Sequence, residues 1–110
     1  MVDQQLSQVF AALADPTRRD MVARLAVGDA TVGELAEPYD VSMQAVSKHI
    51  RVLTDAGLVT QRRDAQRRPC HLNAAALEEL TGWIDKYRLV AEQRHRRLDA
   101  VLETMKEQEK

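Results

Sequence analysis

The chain has 110 residues, 45% of them hydrophobic and 30% charged, with a formal net charge of −1 and one cysteine. This suffices for one modest core and is too short for two, so a single domain over residues 1–110 is expected. A lone thiol excludes a disulfide framework. No apolar run approaches the ~18 residues of a membrane-spanning helix, and the start MVDQQLSQVF has neither the basic opening nor the apolar core of a signal peptide, which points to the cytoplasm.

In residues 4–14, Leu6, Val9, Phe10 and Leu13 recur at helical spacing. Asp15-Pro16 predicts a new helix over residues 16–27, with Asp15 as N-cap and proline in the first turn, where its missing N–H is no loss. Met21, Val22 and Leu25 form its buried side and Gly28 its stop. Arg18 and Arg19 near its start read equally well as phosphate contacts or as surface salt bridges. Thr31 and Glu34 make a Thr-x-x-Glu capping box at the head of a short helix. Pro38 ends that helix near Glu37, because proline lacks a donor and disfavours helical geometry in the residue before it.

Residues 41–60, VSMQAVSKHIRVLTDAGLVT, are the most informative stretch. Ser42 is a good N-cap and Gly57 stands where a left-handed residue closes a helix, predicting a helix over residues 42–56. At about 100° per residue, Val46, Ile50 and Leu53 fall in one narrow sector, and Gln44, Lys48, Arg51 and Asp55 lie opposite with Ser47 at their edge. The second set suits DNA: Gln bonds adenine bidentately, Lys and Arg reach guanine acceptors or phosphate, and Ser donates to either. His49, on the flank of the buried stripe, packs at the helix edge or bonds a phosphate. By itself this helix is equally a solvated amphipathic one. Its neighbours decide, since a short helix, a tight turn and a longer capped helix, residues 31–56 in all, make a helix-turn-helix whose second helix is the reader.

Residues 58–72, LVTQRRDAQRRPCHL, change period from helix to strand. Two extended runs, 59–63 and 68–72, flank an Asp-Ala-Gln-Arg turn and predict a β-hairpin, with Pro69 marking the second as an edge strand. Arg62, Arg63, Arg67 and Arg68 converge near its tip, where four guanidiniums repel unless an anion such as a phosphate lies between them. Residues 41–72 hold six cations against two anions, a net +4 in a chain of −1, so the remainder carries −5 and the field is directional. A helix-turn-helix followed by a basic hairpin is a winged helix-turn-helix, mainly α with a small β-hairpin wing over residues 58–72.

Asn73 is a candidate cap for a last helix from about residue 74 past residue 103. Its stripe of Leu77, Leu80, Ile84, Tyr87, Ala91, Leu98, Val101, Leu102 and Met105 is longer than the short second and third helices can cover, and a sustained apolar repeat on a terminal helix needs a partner. A two-fold homodimer built from residues 1–14 and 74–105 is expected, with Leu6, Val9, Phe10, Leu77, Leu80, Ile84, Tyr87, Ala91, Leu98 and Leu102 at its interface. The competing reading is a helix that frays after about residue 92. Such a dimer sets two reading helices about 34 Å apart, one turn of DNA, and recognises an inverted repeat. The element order is then α1-α2-α3-α4-β1-β2-α5, dimerising through the first and last helices.

Chemistry beyond DNA contact finds little support. Cys70 beside Arg68 and Arg63 reads as an oxidation-sensitive thiol or, more simply, as a small strand residue. Consecutive strand residues face opposite ways, so Cys70 and His71 do not form a nucleophile and base. There is no Gly-rich phosphate loop and no converging pair of carboxylates, so no enzyme is expected. Trp83 and Tyr87, one turn apart, read as packing aromatics, with the lining of a small-molecule effector pocket as the alternative. His95, with Glu92 and Asp99 a turn away on either side, reads as solvated helix surface in preference to a weak metal site.

ALADPTRRDMVARL (residues 12–25), TVGELAEP (31–38) and VSMQAVSKHIRVLTDAGLV (41–59) resemble, in order and spacing, three stretches of the ArsR/SmtB family of bacterial winged-helix repressors. The basic hairpin and long last helix match too, so the resemblance spans nearly the whole chain. It implies a homodimer with helices from both chain ends at the interface, an operator overlapping a promoter, and repression lifted by a signal. The chain departs from the family's metal sensors. Where they carry a Cys-x-Cys pair it has only Gly33, Glu34, Leu35 and Ala36. Where others carry Asp-x-His and His-x-x-Glu, Asp85 is followed by Tyr87 and His95 by Leu98, so no metal or cofactor is expected. The expected partner is operator DNA, met by Ser42, Gln44, Ser47, Lys48, His49, Arg51, Arg62, Arg63, Arg67 and Arg68. A metal- or thiol-responsive repressor with an unrecognised site is one alternative; a protein-interaction module that has lost DNA binding is the other.

Overall fold

Four helix starts in the structure rest on the side chains that the sequence nominates. The computed structural model describes residues 2–62 and 67–108, the side chains of Val2 and Asp3 excepted. Its elements are α1 (Val2–Leu13), α2 (Pro16–Val27), α3 (Val32–Ala36), α4 (Met43–Asp55), β1 (Val59–Gln61), β2 (Cys70–Leu72) and α5 (Ala74–Gln108). The Asp15 carboxylate accepts from the Arg18 N–H at 3.0 Å and opens α2. Thr31 Oγ1 accepts from the Glu34 N–H while Glu34 accepts from the Thr31 N–H, both at 3.2 Å, so the capping box of α3 is complete. Ser42 Oγ accepts from the Ala45 N–H at 3.1 Å, and Asn73 Oδ1 from the Ala75 N–H at 3.3 Å. Each bond satisfies a donor that has no partner inside its own helix.

The far end of α4 is closed by its own backbone. Gly57 has φ +80°, the Leu58 N–H reaches the Leu53 carbonyl and the Gly57 N–H the Thr54 carbonyl, each at 3.0 Å, which is the Schellman arrangement. A side chain at Gly57 would be strained in this left-handed conformation. Asn73 secures the turn by donating from Nδ2 to the Gly57 carbonyl at 2.9 Å. The reading helix therefore has fixed ends.

Residues 1–78 form one compact unit and residues 79–110 a second. In the first, α1 packs on α2 and α4, α3 packs on α4, and the hairpin lies against α2 and α4. Met21, Leu25, Leu35, Val46, Ile50, Leu53, Leu58 and Val59 make the core. Val22, expected inside, is half-buried because it lies to one side of the Met21 and Leu25 line. A larger correction concerns Val9, assigned to a dimer interface. It is 2% exposed within the chain, so it anchors α1 to the body and offers nothing to a second copy.

β1 and β2 are antiparallel, pairing Val59 with Leu72, Thr60 with His71 and Gln61 with Cys70. They are shorter than expected. Pro69 lies before β2, where its carbonyl accepts from the Arg62 N–H at 3.1 Å. The outer side of β2 is not a free edge either: Cys70 and Ala30 exchange two backbone hydrogen bonds, of 2.7 and 3.2 Å, and His71 Nδ1 lies 2.9 Å from Asp29 Oδ1. The chain leading into α3 covers it. The segment 63–66, with Arg63 and most of the predicted turn, lies outside the described residues.

In the second unit α5 continues to Gln108. Trp83, Ile84, Tyr87, Leu98, Val101, Leu102 and Met105 are between 42% and 55% exposed along it. Among the described residues no helix is long and apolar enough to cross a membrane.

Candidate nucleic-acid interface

The two faces of α4 separate as their spacing requires. Val46 and Leu53 are fully buried and Ile50 nearly so, while Gln44, Ser47, Lys48, Arg51 and Asp55 are exposed. Those five side chains, with Met43 and Val52, line one shallow groove along the helix. A second groove, lined in part by Val32, Ser47, Arg51, Thr54 and Gln61, links the helix to α3 and β1. Neither Lys48 nor Arg51 makes a side-chain hydrogen bond or ion pair with another described residue. Ser42 is exposed as well; its oxygen is the cap acceptor, which leaves its hydroxyl proton and one lone pair for an outside partner.

At the hairpin, Arg62, Arg67 and Arg68 are exposed. Arg67 and Arg68 share a concavity with Thr31, Val32, Gly33 and Glu34 at the start of α3. The charge of Arg67 contributes there to a Glu34 carboxyl held below its ordinary range, after the larger effect of the Thr31 N–H and hydroxyl.

Three basic side chains on α2 do something sequence reasoning missed. Arg18 donates from Nε to the Ala12 carbonyl at 2.6 Å and from Nη2 to the Ala11 carbonyl at 3.2 Å. Arg19 Nη1 reaches the carbonyls of Leu13 and Ala14 at 2.8 and 3.0 Å. Arg24 bonds those of Leu35 and Glu34 at 2.7 and 2.9 Å and lies 5.6 Å from the Tyr39 ring centroid. These guanidiniums close the carboxyl ends of α1 and α3, where carbonyls lack helical partners and the helix dipole favours cations. Among the described residues neither Arg18 nor Arg19 makes the surface salt bridge that was one of their two expected readings. His49 is drawn into the same corner, its Nδ1 3.2 Å from Arg18 Nη1 and 4.0 Å from Asp15 Oδ2. Arginine only donates, so Nδ1 accepts. His49 therefore packs at the helix edge against Arg18, the first of its two expected readings.

This arrangement has counterparts. The helix-turn-helix domain family matches residues 13–62. The transcriptional repressor SdpR of Bacillus subtilis is 33% identical over 79 residues, covering 72% of this chain and 88% of SdpR. A crystal structure of an ArsR family transcriptional regulator, RHA00566, superposes with a TM-score of 0.76 at 36% identity, over 82% of this chain and 93% of that one. The chain belongs to the ArsR family of winged helix-turn-helix transcriptional regulators. A further neighbour is the homodimeric winged helix-turn-helix DNA-binding domain of Mb0332 from Mycobacterium bovis, with a TM-score of 0.61 at 26% identity over 81% of this chain and 80% of that one.

In this ArsR-family chain the remaining candidates have the following surroundings. Cys70 is fully buried, burial pushes its thiol pKa up, and Gln61 Nε2 donates to its sulfur at 3.6 Å. The neighbouring arginines do not make it a reactive thiolate. Among the described residues no three His, Cys, Asp or Glu side chains group as a metal site. Trp83 and Tyr87 contact each other, with ring centroids 4.8 Å apart and planes tilted by 55°.

Proposed function

We propose that this chain is a sequence-specific DNA-binding regulator that acts as a homodimeric repressor on an inverted-repeat operator, with residues 1–110 as one winged-helix module. The observation that carries the reading is α4. Its ends are capped, one face is buried, and Gln44, Ser47, Lys48 and Arg51 stand exposed along the groove of the other. Gln44 and Arg51 then contact base edges, with Ser47 and Lys48 reaching bases or nearby phosphates. Arg62, Arg67 and Arg68, with Arg63 in the same sequence cluster, hold the flanking backbone. The homodimeric state of the Mb0332 domain and the half-exposed apolar stripe of α5 support self-association through α5, with Leu6 and Phe10 of α1. The name of SdpR supports repression.

The test is a titration of labelled duplexes from upstream of the chain's own coding sequence, followed by fluorescence anisotropy at several salt concentrations. Specific binding should exceed that of random duplex by roughly a thousandfold or more. The logarithm of affinity should fall with that of salt at about −0.9 per phosphate neutralised. Equal affinity for every duplex, from that region or a selected library, would sink the regulator reading. A monomer at micromolar concentration in sedimentation would sink the dimer.

A further inference from the structure

Among the described residues of the first unit, the large apolar side chains left exposed are Phe10, Val27, Val41 and Met43. Val41 and Met43, each 53% exposed, stand on either side of the Ser42 cap at the start of α4. That is the end of a reading helix whose residues meet base edges in the major groove. Met43 also lines the groove shared by Gln44, Ser47, Lys48 and Arg51. The fold makes little use of it, since Val46, Ile50 and Leu53 anchor the helix and Ser42 supplies the cap. An apolar chain among donors and cations matches one feature of the major groove, the 5-methyl of thymine, the apolar group on its base edges. A methionine suits this because its unbranched, polarisable thioether adapts to an irregular surface. Lys48 and Arg51 beside it select a polyanion over an apolar peptide as the occupant.

We propose that Met43, with Val41 beside it, is a specificity-determining residue that packs on the 5-methyl of a thymine in the operator. This rests on the DNA-binding reading and names the base that the start of α4 recognises. The experiment begins with duplexes selected from a random-sequence library by the full chain. Each thymine of the selected duplex is then replaced in turn by deoxyuridine, which removes the methyl and keeps the hydrogen-bonding edge.

At one or more positions uracil should weaken binding about three- to fivefold, roughly the worth of one buried methyl group, and the same duplex should cost Met43→Ala almost nothing further. Met43→Leu, which keeps an apolar side chain, should retain the loss. Because the site is exposed, all variants should melt with the parent. If uracil is neutral everywhere, or weakens Met43→Ala as much as the parent, the thymine assignment is overturned while specific binding stands. If selection enriches no sequence, the DNA-binding reading fails and the assignment falls with it.

Discussion

The arginines of α2 and those of α4 and the hairpin are the same residue in opposite employment. Arg18, Arg19 and Arg24 direct their guanidiniums at main-chain carbonyls that end α1 and α3. Arg51, Arg62 and Arg68 make no side-chain hydrogen bond or ion pair with another described residue. One set completes the fold and the other presents charge outward. A basic residue near a DNA-reading helix is therefore not evidence of a DNA contact until its protein partners have been counted.

Substitutions should separate the two sets. Arg18→Ala should have the largest effect on stability, about 2 to 3 kcal/mol, since hydrogen bonds from a charged donor are worth roughly 1.5–3 kcal/mol and this side chain makes several. The readout is a lower urea midpoint at unchanged slope. A midpoint equal to that of Arg51→Ala would break the comparison. Arg51→Ala should leave stability within about 0.5 kcal/mol. It should weaken operator binding by about 1 to 3 kcal/mol and relax preference at one base pair, as a lost base contact does. Arg68→Ala should have a smaller, more uniform effect, weakening all duplexes alike and making the salt slope shallower by about 1. A change in sequence preference for Arg68→Ala would move that residue from backbone clamp to base reader.

What was legible in the sequence followed from local physics. Thr31 with Glu34, Ser42 and Asn73 cap where their types and spacing say they should, and Val46, Ile50 and Leu53 are buried because a helical period puts them on one side. The presented face of α4 was legible for the same reason. The failures lie where the chain folds back on itself. Arg18 and Arg19 meet the end of α1 only because the turn at Ala14 brings the two helix ends together, and Arg24 meets α3 across a loop. Val9 shares its helix with Phe10 yet is buried where Phe10 is 41% exposed, which depends on how α1 lies on α2 and α4. Helical spacing alone does not distinguish a side that meets the body from one that faces outward. A second partner of Cys70, besides Gln61 in the hairpin, is likewise a distant residue, Ala30, invisible to a reading of the hairpin by itself.

The smallest effect expected concerns the counterpart of those arginines, the carboxylates at helix starts. The Arg18 N–H, with the Arg18 charge adding to it, holds Asp15 below the usual carboxylate range, and the Thr31 N–H does the same for Glu34. A folded-state pKa below the unfolded one means that each group's contribution is complete above the unfolded value, about 3.9 for Asp and 4.3 for Glu, and is lost as pH falls through the lower folded value. Acid should therefore weaken the starts of α2 and α3 below about pH 4. Glu34 is exposed and Asp15 only half-buried, so the loss is modest. Net repulsion also rises in acid, and a variant is needed to isolate the cap. Asp15→Asn keeps an acceptor for the Arg18 N–H and removes the charge. Its urea midpoint should start slightly lower than the parent's at pH 7 and fall less steeply toward pH 2, so that the two curves converge. Parallel curves would show that Asp15 holds α2 as a neutral acceptor does, leaving charged capping to the arginines at the other ends of the helices.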